Sequence, residues 1–119
     1  MIRHDNFIHY KTGIQSIDDD HWKLISMMND IIDQLNEDID VSHLLSKFTK
    51  ELQDHFNREE LEMIKINFPY YKFHKQEHIR LANEMTKINL INTHIIEKLE
   101  LVLIQHIDTY DMQIGTFNQ

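Results

Sequence analysis

His21, His55, Glu59, His74, His78, His106 and Asp111 supply five imidazoles and two carboxylates, and six of these seven residues stand where a helix carries its apolar core. Taking such groups out of water is costly unless they are hydrogen-bonded, paired or bound to a metal. A common partner would account for the whole set. His55/Glu59 and His74/His78 are i, i+4 pairs, so each pair presents two donors on one helical face. The donors are too many for a single ion, and a two-metal centre bridged by the carboxylates fits them. A mixed nitrogen and oxygen set of this kind favours iron. The chain contains no Glu-x-x-His, the signature of carboxylate-rich ferritin-like sites, and no His-Glu-x-x-His, the zinc-protease helix.

Hydrophobic periodicity supplies the helices that must position these residues. Ile17, His21, Leu24, Met28, Ile31 and Leu35 alternate steps of four and three, one stripe down a helix. Leu45, Phe48, Leu52, His55, Glu59, Met63 and Ile66 form a second stripe, His74, His78, Leu81, Met85 and Ile88 a third, and Ile95, Leu99, Val102 and His106 a fourth. Asp111 is out of step. Five residues after His106 it lies about 140° round an ideal helix, and it joins the others only if the last turn is loosened or tightened, or if its side chain bends back.

The breaks between stripes carry recognisable stop and start residues. Asn36 to Ser42 reads as a loop ending in a Ser42 N-cap. Phe68-Pro69 ends the second helix, and Pro69 is suited to the opening turn of the third. Asn89 to Thr93 is a weaker boundary, with Asn92 or Thr93 as the cap. Residues 1–16 read as an N-terminal arm with a turn at Gly13 and with Phe7, Ile8 and Tyr10 available to pack on the helices. Residues 17–114 form the bundle, and 115–119 a C-terminal tail. Four helices with short loops predict an all-α, antiparallel up-down-up-down four-helix bundle. In that topology the seven donors fall roughly 5–18 Å from one end, at 1.5 Å per residue, and converge in one layer.

Composition narrows the class. The chain has 119 residues, the size of one domain. Its net charge of −8 is the wrong sign for a nucleic-acid surface. With no Cys, disulfides and cysteine-ligated clusters are excluded. No apolar run approaches a membrane span, and the start lacks the apolar core of a signal peptide, so a cytoplasmic protein is expected.

The matching text Thr12-Gly13-Ile14, Ile17-Asp18 and His21, then His55-Phe56-x-x-Glu59-Glu60, His74-x-x-x-His78 and His106-Ile107-x-x-x-Asp111 resembles the hemerythrins, in size the single-domain bacterial form. It spans roughly Tyr10 to Asp111. Two iron ions joined by an oxo or hydroxo bridge are what the resemblance implies. His74, His78 and His106 would hold one iron, His21 and His55 the other, and Glu59 and Asp111 would bridge them. The second iron then has a free position, where the family binds dioxygen reversibly as a hydroperoxide. Leu24, Phe56, Leu103 and Ile107 match the family's apolar pocket around that ligand.

The resemblance implies an oxygen-binding protein for carriage, storage or delivery rather than an enzyme, with no catalytic residue assigned. The rivals are a diiron enzyme reducing peroxide, nitric oxide or oxygen, and an oxygen or iron sensor. Dioxygen is the expected partner. Protein partners and oligomeric state stay open, with a monomer as the working expectation.

Two positions depart from the family pattern. Val102 stands where a Trp is usual and would enlarge the pocket or a tunnel beside it, while Asp20 stands where Gln is frequent. Outside the set, His4, His9, His43 and His94 read as surface or cap residues. Asp18, Asp19 and Asp20 read as an acidic helix start. Glu60 is read as solvated or as support for a ligand, the methionines as core filling, and Trp22 as packing.

Overall fold

The computed structural model describes residues 11–86 and 92–117. Four principal helices form the bundle: α1 (Gln15–Asn36), α2 (Ser42–Lys65), α3 (Tyr71–Thr86) and α4 (Thr93–His106). A π-helical turn, Ile107–Asp111, continues α4 and leads into a short α5 (Met112–Phe117). The protein is an all-α, antiparallel up-down-up-down four-helix bundle. None of the helices among the described residues is long and apolar enough to cross a membrane.

α1, α2 and α3 bury most of the stripe that their spacing marks, whereas α4 is turned by about one residue: Ile96, Leu103 and Ile104 are buried, and of the expected stripe Ile95, Leu99 and Val102 are only half-buried while His106 is buried. Ile17, Leu24, Met28 and Ile31 of α1 are buried, as are Phe48, Leu52 and Met63 of α2 and Leu81 of α3. The larger apolar cluster joins Leu24, Ile25, Met28, Phe48, Leu52 and Phe56 to residues of α3 and α4. A smaller cluster of Ile17, Met63, Phe68 and Ile114 closes the other side.

Helix ends differ in detail from the sequence expectation. Ser42 is not the cap. Its backbone N–H and hydroxyl both donate to the Asp40 carboxylate at 2.9 and 2.7 Å, while Val41 precedes the helix without a side-chain cap bond. The second helix stops at Lys65, ahead of Phe68-Pro69, because Asn67 turns left-handed at φ 56°. Phe68 N–H then reaches Met63 O at 2.9 Å and Asn67 N–H reaches Ile64 O at 3.1 Å, satisfying the terminal carbonyls. Asp38, at φ 58°, ends α1 in the same way. Pro69 stands two residues ahead of α3 rather than in its first turn. Asn92 does cap α4, accepting from Ile95 N–H at 2.9 Å.

The start of the chain is anchored rather than loose from Thr12 onward. Asp18 accepts from Thr12 N–H at 2.7 Å, from the Thr12 hydroxyl at 2.8 Å and from Gly13 N–H at 3.0 Å, so α1 begins at Gln15, earlier than the Ile17 of the periodic stripe. Gly13 supplies the turn with φ 89°. Gly115 is buried in α5, where a Cβ would collide with the Thr12 carbonyl. Helix therefore continues to Phe117, past the point at which periodicity suggests a tail. Phe7, Ile8 and Tyr10, with His4 and His9, lie outside the described residues, as do Ile88 and the chain from Asn89 to Ile91.

Candidate metal centre

α1 contributes His21, α2 contributes His55 and Glu59, α3 contributes His74 and His78, α4 ends on His106, and the π turn ends on Asp111. All seven are buried. The reason is visible along each chain segment. Ile17 and Leu24 flank His21, Phe56 and Met63 flank Glu59, and Ile107 and Ile114 flank Asp111, so the polar layer is sandwiched between the two apolar clusters.

Asp111 reaches the layer because the helix loosens. Met112 N–H bonds to Ile107 O, five residues back, in place of the α-helical partner. This widening brings the residue five places after His106 round towards the same face. His106 Nε2 and Asp111 Oδ1 are 3.1 Å apart. Of the three ways the spacing left open, a loosened turn, a tightened turn or a side chain bending back, the structure contains the loosened turn.

The two carboxylates divide the imidazoles between them. Glu59 turns Oε1 to His74 Nε2 at 2.7 Å and His78 Nε2 at 3.0 Å, and Oε2 to His55 Nε2 at 3.0 Å and His21 Nε2 at 3.5 Å. Asp111 turns Oδ1 to His74 at 2.8 Å and His106 at 3.1 Å, and Oδ2 to His21 at 2.8 Å. Two groups result, Glu59, His74, His78, His106 and Asp111 on one side and His21, His55, Glu59 and Asp111 on the other, with the donor atoms of each within 4.8 Å of one another. Both carboxylates belong to both groups.

Apart from the hydrogen bond between His78 Nε2 and Glu59 Oε1, most of this proximity is not hydrogen bonding. Nε2 of His21, His74 and His106, Oε2 of Glu59 and both oxygens of Asp111 are buried without a hydrogen bond among the described residues, although some of these atoms lie only 2.8 Å apart. Their lone pairs and N–H directions do not align as donor to acceptor. A native interior rarely leaves so many polar atoms orphaned, and the donor set fits metal ions as the missing partners.

Charge within the layer is strongly coupled. Burial alone would lower His21, yet the nearby carboxylates of Asp111 and Glu59 raise it to about 10. His74, likewise opposed by burial, is raised to about 9 by the same carboxylates. His55 is also raised, against burial, mainly by Glu59 and then Asp20. Burial and the neighbouring Glu59 push Asp111 up, but His106 and His21 hold it below the usual carboxylate range. Without a metal, protons shared with the imidazoles balance the carboxylates.

Outside the layer, two imidazoles face further carboxylates. His55 Nδ1 lies 3.1 Å from Asp20 Oδ2, and His78 Nδ1 lies 2.9 Å from Glu60 Oε2. Such contacts fix ring orientation and leave Nε2 facing inward. Arg58 grips Asp20 through Nε at 2.8 Å and Nη2 at 3.0 Å. Burial would raise the Asp20 carboxyl, but His55 and Arg58 lower it to about 2. The acidic helix start thus hides two specific roles, Asp18 at the arm and Asp20 behind His55. Arg58 was not singled out by spacing. Its position three residues after His55 places it on a neighbouring face, a signal too common to be diagnostic.

Leu24, Phe56, Leu103 and Ile107 all belong to the larger buried apolar cluster. The Phe56 ring stacks on His78 at 4.0 Å between centroids and lies 5.9 Å from the His55 ring. Val102 and Leu103 line a narrow cavity of about 30 Å³ with Met28, Phe48, Leu52 and Leu81. His43 and His94 are exposed and take no part. Trp22, next to His21, packs against the core.

Fold and site together define a four-helix-bundle metal-binding protein whose site is shared by all four principal helices and the π turn. The family description Hemerythrin HHE cation binding domain matches residues 12–117, and the chain belongs to that family. No curated protein and no solved structure matches it.

Proposed function

We propose that the protein holds two iron ions and binds dioxygen reversibly, for carriage, storage or delivery. The observation that carries this reading is the division of Glu59 and Asp111, each with one oxygen on the three-imidazole side and one on the two-imidazole side. His74, His78 and His106 would hold one ion, and His21 and His55 the other. The second ion would have one protein donor fewer, which would leave room for an exogenous ligand. A mixed set of imidazoles and bridging carboxylates suits iron. Held there as a ferrous pair, the ions would supply the two electrons needed for reversible binding of dioxygen.

The chain's own residues would make that exchange reversible. Leu24, Phe56, Leu103 and Ile107 are assigned to the ligand pocket, where buried apolar side chains exclude water and offer no acid to an anionic ligand. Phe56 also holds the His78 ring in place by stacking. Asp20 and Glu60 keep His55 and His78 turned with Nε2 inward.

A second reading, a diiron enzyme reducing peroxide, nitric oxide or oxygen, is favoured by the cavity beside Val102, which would ease entry and exit. Anaerobic iron loading followed by oxygen titration separates the two. Reversible carriage predicts two irons per chain and an oxygen-dependent absorbance that disappears on deoxygenation and returns. Rapid one-way oxidation with catalytic consumption of peroxide would replace it by the enzyme reading.

A further inference from the structure

The two imidazoles supported from outside the metal layer are not supported alike. His55 and His78 each face a carboxylate through Nδ1, one on each side of the bridging pair. Behind His78, Glu60 has Lys75 Nζ no closer than 4.0 Å. Behind His55, both oxygens of Asp20 are taken by the Arg58 fork, and Oδ2 receives Arg58 Nε–H in addition to facing His55 Nδ1. A carboxylate that accepts the Nδ1 proton of a ligating imidazole makes that imidazole a stronger donor to its metal. A guanidinium bound bidentately to the same carboxylate draws charge away from that bond.

We infer that Arg58 is a positioning residue that, through Asp20, weakens the donation of His55 and so makes the two metal positions electronically unequal. The inference rests on the diiron reading above. Among the described residues the Arg58 side chain is hydrogen-bonded to Asp20, and through it the side-chain route runs Arg58, Asp20, His55, which ties α2 to α1 and returns to α2. The weaker donation falls on the two-imidazole side, where a higher preference for the reduced ion opposes one-way oxidation. The Glu60 side keeps the stronger donation.

Anaerobic competition of ferrous iron against a chelator, together with the reduction potential of the loaded protein, tests this. Asp20→Asn should weaken retention of one of the two irons by about 10-fold and raise the potential. Arg58→Gln should retain both irons at least as tightly as the parent and lower the potential. A purely structural salt bridge would instead make both variants lose iron alike. Arg58→Lys, which keeps the charge but loses the fork, should follow Arg58→Gln; behaviour like the parent would mean that charge acts through space, against the inference.

In an Asp20→Asn background, Arg58→Gln should add no further shift, whereas a full additive shift would also break the proposed route. A parent protein that takes up fewer than two irons would overturn the reading of the centre and the inference with it. Two bound irons with both variants shifting the same way would overturn the inference alone.

Discussion

His21 Nε2 lies 2.8 Å from Asp111 Oδ2, buried and without hydrogen-bond geometry, although the two residues stand near opposite ends of the described chain. One comes from the first turns of α1 and the other from the π turn that ends α4. Their contact closes the bundle around its polar layer. Every other donor is placed between these two, on α2, α3 or the end of α4.

The metal-free protein should lose stability as pH rises. His21 and His74 have folded values of about 10 and about 9 against an ordinary 6.5, so the folded state holds their protons more tightly than the unfolded chain does. Their contribution is complete below pH 6.5 and disappears as pH climbs through 9 and 10. Ions that bind Nε2 must displace the same protons. Thermal melts of the chelated protein between neutral and alkaline pH should show a falling midpoint, and iron uptake should release protons. A flat midpoint would contradict the coupling.

Glu59→Ala should abolish two-ion binding and destabilise the metal-free fold. The substitution leaves His21, His55, His74 and His78 without one of their two balancing carboxylates in a buried site. Breaking a buried pair in this way costs about 3–5 kcal/mol. Metal analysis and denaturant unfolding of the variant would measure both effects, and full iron retention would disprove the bridging role.

Val102→Trp should slow autoxidation if access through the neighbouring cavity limits it. A void of about 30 Å³ cannot hold an indole without displacement of its walls. Overpacking should therefore cost about 1–3 kcal/mol as well. Decay of the oxygenated absorbance in air reports the rate. An unchanged rate would remove the access argument.

Gly115→Ala should be more damaging than Gly13→Ala. The added methyl at Gly115 meets the Thr12 backbone, which Asp18 holds from the other side, whereas at Gly13 nothing lies within 4 Å and only the φ of 89° is strained. Because Gly115 follows Asp111 by one helical turn, its displacement should also weaken metal retention, while Gly13→Ala should keep both irons. The left-handed strain alone costs about 1–2 kcal/mol. Paired melts and iron analyses of the two variants give the comparison, and equal losses of iron would refute it.

Much of the site was legible because helical spacing is a local property. The stripes ran through His21, His55, Glu59, His74, His78 and His106, and all six are buried where their periodicity places them. Asp111 was legible as a misfit, since a donor about 140° out of phase joins the layer only through an altered turn or a side chain that bends back; which of these occurs was not legible. The helix stops were less legible. Asp38 and Asn67 end α1 and α2 in left-handed conformations that many sequences leave to glycine, and Asp40 rather than Ser42 serves the start of α2.

The sequence by itself determined the donors, their order and the four apolar stripes that oblige them to share one end of a bundle, because burial of a stripe follows from residue spacing and the cost of exposing it. Only the tertiary structure decided which oxygen of Glu59 and Asp111 faces which imidazole, that Asp20 and Arg58 stand behind His55, and that Thr12 locks against Gly115. Those pairings join residues far apart in the chain, and they depend on helix rotation and side-chain rotamers that periodicity leaves free.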